Sequence, residues 1–294
     1  MDRDERCREH ARRIREVYPD LVIATVRPIE AGQYNDVLLV DGELIFRFPR
    51  FAEGVRTLAT ETAILRGLRG AITLPIPDPI YRSLDSGIVG QAFTGYRLIP
   101  GEPLWLDTFR AIDDEATLDR LAGQLATFLR ELHGVPVEGA IACELPVPDH
   151  RAHWSDLYAR IRAKLFPHMS PAARERVGEH FEAVLDDWES FAFKPVLVHG
   201  DFGTGNILFD ARAGAIAGVV DFGSAHLDDP ALDVAALASY GEPFLRRAAV
   251  AYPAIEATLD RTRFYRGTFA LQEALYGVEH GDPRAFERGI VRYR

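Results

Sequence analysis

Two acids and one amide in the stretch from residue 196 to 221 have the types and spacing of a catalytic site. Asp201 lies just beyond an apolar run, and Asn206 comes five residues later, where a second apolar run begins. Asp221 ends a third apolar run and is followed by Phe-Gly. Phosphoryl transfer from a magnesium nucleotide needs such a set. One carboxylate orients or deprotonates the acceptor hydroxyl, while an amide and a second carboxylate hold the metal.

Each of these residues, taken singly, is an ordinary turn or strand-end residue. Their combination at the edges of three apolar runs is hard to explain by turn chemistry and favours a shared function. His199, two residues before Asp201, permits two interpretations. It is either a metal ligand in a His-x-Asp pair or a ring that braces the loop by hydrogen bonds. The second is favoured because no histidine-rich segment lies nearby.

The bulk composition describes an ordinary globular protein. The chain has 294 residues, of which 47% are hydrophobic and 27% are charged. It has no apolar run of the ~20 residues that a membrane helix requires, and its first residues lack the apolar core of a signal peptide. With two cysteines there is no disulfide framework. We therefore expect a cytoplasmic protein that does not engage a membrane.

The charge balance bears on partners. A net charge of −10 argues against a nucleic-acid partner and is compatible with a cationic small molecule. Simple solubility explains the same charge equally well. Nothing in the sequence indicates an oligomer interface, so we expect a monomer.

The first third of the chain alternates between helical and strand patterns. Asp41-Gly42 is typical of a two-residue hairpin turn between two strands. Each proline of the segment from residue 74 to 79 disfavours a helix before it, which predicts an extended connector. The predicted elements are a helix over 2–17, strands over 21–29, 34–40 and 43–48, a helix over 53–68, and a second hairpin of residues 80–84 and 91–98.

Beyond this β-rich region the chain becomes helical. The Ile-Pro-Gly-Glu-Pro segment at residues 99–103 is the best candidate for a linker. Helices are predicted over 114–133, 150–166, 170–192 and most of 229–292, with strands around the catalytic motif. The prediction is an α+β protein with a β-rich lobe over 1–96, a hinge over 97–102 and a helical lobe over 103–294.

The motifs resemble those of the aminoglycoside phosphotransferase family, small-molecule kinases with a protein-kinase-like fold. The resemblance rests on the His-Gly-Asp-x-x-x-x-Asn loop and the Asp-Phe-Gly, and it covers nearly the whole chain. It implies a small antiparallel-sheet N-lobe and a larger, mainly helical C-lobe. It further implies that Asp201 is the catalytic base and that Asn206 and Asp221 bind Mg²⁺. Segments similar to the 2″-phosphotransferase branch are Tyr18-Pro19-Asp20, Phe46-Arg47-Phe48-Pro49, Leu74-Pro75-Ile76-Pro77 and Gly101-x-Pro103-Leu104.

The resemblance also assigns a phosphate clamp. Kinases of this kind hold phosphates with a strand lysine that pairs with a helix glutamate. This chain has Arg47 at the lysine position, and Glu61 on the next helix is the matching acid. Arginine keeps the charge but has a different shape, so the exchange is not neutral. The alternative is a strand arginine that faces solvent. Phe46 and Phe48, which flank it, should point to the opposite face of the strand. Gly32 lies where the phosphate-covering loop is expected.

The resemblance further predicts how the base of the nucleotide is held. Tyr96 takes the gatekeeper position, and Arg97 and Ile99 offer main-chain groups. Leu208 and Val220 are placed to enclose the base. A bulky tyrosine resembles the 2″ enzymes that favour GTP, so we expect GTP to be preferred over ATP. A plain core tyrosine is the competing interpretation.

The acceptor pocket gives the weakest signal. A polycationic aminoglycoside requires several carboxylates near Asp201. The candidates are Glu242, Glu273 and Glu279, each of which is otherwise a solvated helix acid. This low acidity keeps other readings open, namely a macrolide 2′-phosphotransferase or a kinase of a small metabolite. The arginine in the clamp and the thin glycine loop leave a third, a nucleotide-binding pseudokinase that does not catalyse.

Overall fold

The computed structural model describes residues 2–29, 35–136, 145 and 149–294. The chain divides into two units, of which the first comprises residues 1–145 and 199–225 and the second comprises residues 146–198 and 226–294. These units do not coincide with the lobes predicted from the sequence, and the hinge at 97–102 stays a prediction. None of the helices among the described residues has the length and apolar character needed to cross a membrane.

The first unit is built on a five-stranded antiparallel sheet with the order β1-β2-β3-β5-β4. The α-helix that precedes it, α1, covers Arg3–Val17, and the helix α2, Ala52–Gly67, follows β3. Both helices confirm the sequence prediction. The strands are β1 (Val26–Ile29), β2 (Asn35–Val40), β3 (Leu44–Pro49), β4 (Tyr81–Ser83) and β5 (Phe93–Arg97).

The two faces of this sheet carry different kinds of side chain. Phe46 and Phe48 are fully buried and pack with Cys7 and Ile14 of α1 on one face. Because side chains alternate along a strand, Arg47 lies on the opposite face, as the sequence predicted. The aromatic face therefore fixes the sheet on α1 and leaves the other face to position a charge.

The turn between β2 and β3 differs from the prediction in one respect. Asp41 and Gly42 both adopt positive φ, 51° and 73°, as expected for this dipeptide. The register pairs Val40 with Leu44, however, so three residues rather than two separate the paired ends. The carboxylate of Asp41 accepts the N–H group of Thr25 at 2.6 Å, which holds its left-handed conformation.

A smaller three-stranded sheet of the first unit carries the catalytic motif. Its order is β6-β8-β9, where β6 is Glu102–Pro103, β8 is Ile207–Asp210 and β9 is Ala215–Val219. Two helices follow β6, the short α3 (Leu106–Arg110) and the long α4 (Glu115–His133). The α4 helix begins at the N-cap Asp114, whose side chain accepts the Thr117 N–H group, and ends at Gly134 as predicted.

The second unit is mainly helical. Its two strands, β7 (Val196–Val198) and β10 (His226–Asp228), pair antiparallel. A buried aromatic core that includes Trp154, Phe181, Phe264 and Tyr265 joins its helices. These helices are α5 (His150–Lys164), α6 (Pro171–Asp186), α7 (Ala231–Leu237), α8 (Glu242–Ala251), α9 (Leu259–His280) and α10 (Pro283–Ile290).

Candidate active site

His199 braces the loop that carries the candidate base. Its ring is fully buried and its Nε2 lies 3.1 Å from the carbonyl oxygen of Val220. Its Nδ1 accepts the backbone N–H group of Asp201 at 3.3 Å. A ring that accepts at Nδ1 and donates at Nε2 has one defined tautomer. Both nitrogens are engaged, which supports the brace over the metal-ligand interpretation.

Asn206 holds the carboxylate of Asp201. Its side-chain Nδ2 donates to the Asp201 backbone carbonyl at 2.9 Å and to the Asp201 Oδ2 at 3.0 Å. The backbone carbonyl of Asn206 accepts the Val220 N–H group at 2.9 Å. Since Val220 precedes Asp221, the loop that holds Asp201 and the end of β9 are joined at this point. The sequence predicted that these three polar residues share a site, and the structure brings them together.

Asp221 has an unusual backbone. With φ 66° and ψ 69° it lies in the left-handed region, one of two residues other than glycine with positive φ in the described chain. The following Phe222 is fully buried against the rings of His199 and Phe128. Buried packing on one side thus forces the turn, and the Asp221 side chain stays half-exposed at 49%. Backbone strain of this kind commonly accompanies functional sites.

Arg47 links Asp221 to a buried acid. One guanidinium nitrogen donates to Glu61 Oε1 at 2.5 Å, and the other donates to Asp221 Oδ1 at 3.0 Å. The Arg47 and Glu61 side chains keep exposures of only 10% and 3%. Burial alone lowers the pKa of Arg47, but Glu61, Tyr96 and Asp221 together outweigh it, and the pKa lies above its ordinary value. The solvent-facing strand arginine considered from the sequence is therefore wrong.

Tyr96 is a further neighbour of Arg47 that sequence reasoning missed. Tyr96 pairs with Ile45 in the β3–β5 ladder, which places it on the same face as Arg47 and diagonal to it. Burial is the main reason that the pKa of Tyr96 is raised to about 12, and the charge of Arg47 and a hydrogen bond from it oppose the rise. The ring packs with Leu39 and Ile45. The gatekeeper candidate is thus a core residue whose polar end contacts the clamp.

The other nucleotide candidates lie in the same unit. Leu208 and Val220 are partly buried, and Leu208 lies opposite Gly218 in the β8–β9 pair. Arg97 lies opposite Leu44 in the antiparallel ladder of β3 and β5. The adjoining hydrogen bond runs from the Leu98 N–H group to the Glu43 carbonyl at 2.7 Å, so Arg97 and Leu44 form a non-hydrogen-bonded pair. The main-chain groups of Arg97 therefore face away from β3, and Ile99 lies two residues further on. Gly32 falls outside the described residues.

Comparison with known proteins identifies the family. Residues 25–265 match the phosphotransferase enzyme family. The chain belongs to this family. It is 32% identical over 271 residues to viomycin phosphotransferase of Streptomyces vinaceus, a match that covers 90% of this chain and 92% of that protein.

Solved structures of phosphotransferases share the fold. APH(2″)-IIia in its GDP and kanamycin complex is 27% identical, with a TM-score of 0.87 over 97% of this chain and 96% of that one. Macrolide 2′-phosphotransferase type I, at 20% identity, has a TM-score of 0.75 over 100% of this chain and 98% of that one. The predicted kinase-like fold, family and enzyme class are confirmed. This family member is a phosphotransferase.

The acids predicted for the acceptor lie in the second unit and are already paired. Glu279 accepts hydrogen bonds from Arg160 at 2.6 Å and from Lys164 at 2.7 Å. Glu273 pairs with Arg288 at 2.6 Å, and the exposed Glu242 lies 3.9 Å from Arg246. Six residues apart on α9, Glu273 and Glu279 project in different directions. They do not form one anionic cluster on that helix, and their role toward an acceptor stays a prediction.

The donor groups around Asp221 fit a magnesium ion that arrives with a nucleotide. Because Asn206 uses Nδ2 for both bonds to Asp201, its Oδ1 points the other way. A carboxylate and an amide oxygen are hard ligands of the type that Mg²⁺ prefers, and the ion commonly takes its remaining ligands from phosphates and water. No group of three or more His, Cys, Asp or Glu side chains suited to a metal occurs among the residues that the structure describes. A site completed by the nucleotide needs no such group.

Proposed function

We propose that this phosphotransferase moves the γ-phosphate of GTP or ATP, with Mg²⁺, to a hydroxyl group of an aminoglycoside or a related cationic antibiotic. The observation that carries the proposal is the joined geometry of the first unit. Asn206 holds Asp201, and Asp221 is linked through Arg47 to the buried Glu61. Phosphoryl transfer depends mostly on positioning and charge neutralisation, which such a constellation supplies.

The two oxygens of Asp201 have separate tasks in this mechanism. Oδ2 is held by the Asn206 amide, so Oδ1 remains to accept the hydrogen of the acceptor hydroxyl. The His199 brace on the Asp201 N–H group fixes the loop during this approach. The acceptor oxygen is then oriented toward the γ-phosphorus. The carboxylate takes its proton as the new O–P bond forms, and the bond from the γ-phosphorus to the β–γ bridging oxygen breaks to release the nucleoside diphosphate.

Arg47, Asn206 and Asp221 hold the triphosphate. The Arg47 guanidinium is kept in place by Glu61 and carries a charge that neutralises phosphate oxygens. Asn206 Oδ1 and the Asp221 carboxylate would bind Mg²⁺, which neutralises charge on the β- and γ-phosphates when it is bound. Backbone N–H groups of the loop around Gly32 are proposed to cover the phosphates.

The choice of nucleotide is proposed to depend on Tyr96. Its ring is held in the β3–β5 core and cannot swing away without loss of packing, so it narrows the space for the base. Two observations favour GTP over ATP. One is the size of the Tyr96 side chain, and the other is the GDP bound to APH(2″)-IIia, which is 27% identical to this chain. Arg97 and Ile99 would contact the base through main-chain groups, and Leu208 and Val220 would enclose it.

The acceptor is proposed to be cationic. The net charge of −10 favours such a substrate, and the relatives are named for viomycin or bound to kanamycin. A coupled assay that follows nucleoside diphosphate, with GTP and ATP against kanamycin, viomycin, a macrolide and an amino alcohol, tests the proposal. We expect Mg²⁺-dependent turnover with a cationic antibiotic and loss of turnover with EDTA. Turnover confined to the macrolide or the amino alcohol contradicts the acceptor class, and no turnover with any of them contradicts the activity.

A further inference from the structure

Trp105 is an exposed aromatic residue with a fixed backbone. It retains 55% exposure, whereas Trp154 retains 6%. The residue before it, Leu104, is fully buried and donates its N–H group to the Ile207 carbonyl at 2.8 Å. The Trp105 carbonyl accepts the first helical hydrogen bond of α3, from the Phe109 N–H group, at 2.8 Å. The main chain thus holds Trp105 beside β8 although its ring contributes little to a core.

The indole ring lies against the catalytic loop. A methyl group on Gly205 would stand 3.0 Å from the Trp105 Cη2 and 3.4 Å from its Cζ3. Carbon atoms at that separation are closer than their optimal contact distance, so a side chain at Gly205 would require the ring to shift, and glycine lets it lie directly against the loop. Gly205 directly precedes Asn206, whose amide holds the Asp201 carboxylate. The outer edge of the indole therefore lies one residue from the group that positions the base.

We infer that Trp105 binds the acceptor, with its exposed indole face against a protonated amine or guanidinium group of that molecule. This inference rests on the proposed function. A cation over the face of tryptophan is attracted by the ring quadrupole, and tryptophan is the best of the aromatic residues for this contact. The carboxylate of Asp201, which is exposed and is held by the residue that follows Gly205, adds to the attraction for a cation near this loop.

Such an aromatic contact would let the chain recognise a cationic acceptor although two of the carboxylates predicted to bind it are engaged elsewhere. The Glu273 and Glu279 carboxylates lie in salt bridges with arginine and lysine. An aromatic face attracts a cation without adding a negative charge beside the triphosphate. Trp105 would therefore contribute to acceptor affinity without repelling the nucleotide.

The test compares Trp105→Ala and Trp105→Phe with Trp188→Phe, a control at a partly buried tryptophan of the second unit. We expect Trp105→Ala to raise the KM for the cationic acceptor by about 2- to 30-fold. The KM for nucleotide and the kcat should stay close to those of the parent, and Trp105→Phe should recover part of the loss. An unchanged acceptor KM overturns the inference. A raised KM for the nucleotide also overturns it, because Trp105 would then contact the ribose of the nucleotide rather than the acceptor.

Two further measurements separate binding from a structural role. Acceptor should quench tryptophan fluorescence in the parent and in Trp188→Phe but not in Trp105→Phe. Acetylating the acceptor amines should weaken binding to the parent more than to Trp105→Ala. Equal losses in the two proteins contradict a cation contact. If the parent phosphorylates no acceptor, the proposed function fails and the inference fails with it, whereas a normal parent with an unaffected Trp105→Ala removes the inference alone.

Discussion

In both units an arginine pairs with a buried carboxylate, and the two pairs Arg47–Glu61 and Arg261–Asp229 have nearly the same geometry. In the first unit Arg47 donates to Glu61 at 2.5 Å, with side-chain exposures of 10% and 3%. In the second unit Arg261 donates to Asp229 at 2.6 Å, with exposures of 19% and 0%. Distance and burial alone therefore do not distinguish a functional pair from a structural one.

The second guanidinium nitrogen makes the difference. In Arg261 the second nitrogen also donates to the Asp229 carboxylate, at 3.3 Å. The Tyr265 hydroxyl donates to the same carboxylate at 3.1 Å. In Arg47 the second nitrogen reaches a different acid, the half-exposed Asp221. The Asp229 group is closed on itself, while the Arg47 group connects a buried charge to an exposed one. An ion pair that extends to a second, more exposed acid is a candidate for a role in catalysis. A pair whose bonds all go to one buried acid is a candidate for a role in stability.

The largest effect should come from Asp201, the exposed acid whose carboxylate is held by Asn206. Replacing Asp201 by Asn removes the proton acceptor while keeping the side chain's shape. We expect turnover to fall by about 10²- to 10⁴-fold. Steady-state kinetics measures the loss, and calorimetric titration with nucleotide should show nearly parental affinity. Normal transfer by this variant would contradict the role of Asp201 as the base.

Matched substitutions of the two buried acids test the comparison directly. Glu61→Gln and Asp229→Asn each remove the charge of a buried carboxylate that pairs with an arginine, which lowers the free energy of unfolding by about 3–5 kcal/mol. We expect the smaller loss for Glu61→Gln, because Arg47 keeps Asp221. Denaturant titration of both variants measures this.

Turnover should separate the same two variants. At a temperature where both are folded, Glu61→Gln should lose activity because Arg47 is free to move toward Asp221. Asp229→Asn should keep the parental rate per folded molecule. If both variants lose activity equally, the distinction between a connected and a closed pair is wrong.

The sequence was a good guide wherever the signal was local. Asp114 and Gly134 predicted the ends of α4, and the strand alternation predicted that Arg47 faces away from the phenylalanines beside it. The strand predicted from residue 21 instead begins at Val26, because its partner β2 ends at Val40 and residues 21–25 have no strand to pair with. Pairing, rather than composition, sets that boundary.

Contacts between distant residues could not be predicted in this way. Arg47 and Asp221 are 174 positions apart, and no periodicity records that they meet. The contact of Trp105 with Gly205 likewise depends on the pairing of β6 with β8. The left-handed backbone of Asp221 results from the burial of Phe222, which a local pattern does not contain. The motifs indicated the candidate reacting groups, and the fold determined how they are connected.

Substitutions at Tyr96, which contacts Arg47, should change stability and nucleotide choice by less than the substitutions above change turnover. Tyr96→Phe removes the hydroxyl that accepts from Arg47 and should cost about 1–2 kcal/mol of stability. Because the ring remains, its ratio of GTP to ATP use should stay parental. Tyr96→Ala should shift that ratio toward ATP as the base pocket widens. Parallel kinetics with both nucleotides measures the ratio, and an unchanged ratio in Tyr96→Ala contradicts the gatekeeper role.

The smallest effect should come from Glu279, which belongs to an exposed salt-bridge group of the second unit. Arg160 and Lys164, with side-chain exposures of 41% and 42%, lower the pKa of Glu279 to about 2 from its ordinary 4.5. A carboxylate with a lowered folded-state pKa stabilises the fold above pH 4.5 and loses that contribution as the pH falls toward 2. Exposed pairs are screened, so Glu279→Gln should cost less than about 1 kcal/mol at pH 7.

Glu273→Gln is the matched control for Glu279→Gln, since it lies on the same helix and has one exposed partner, Arg288. The difference in unfolding free energy between the parent and Glu279→Gln should narrow as the pH is lowered below 4.5, and should also narrow at high salt. Glu273→Gln should cost little stability at pH 7, because it breaks a single exposed ion pair. Neither change should alter the KM for a cationic acceptor, because cations of the protein already occupy both carboxylates. A raised acceptor KM in Glu279→Gln would instead show that Glu279 exchanges Arg160 for the substrate, and the second unit would then also contain an ion pair that serves function.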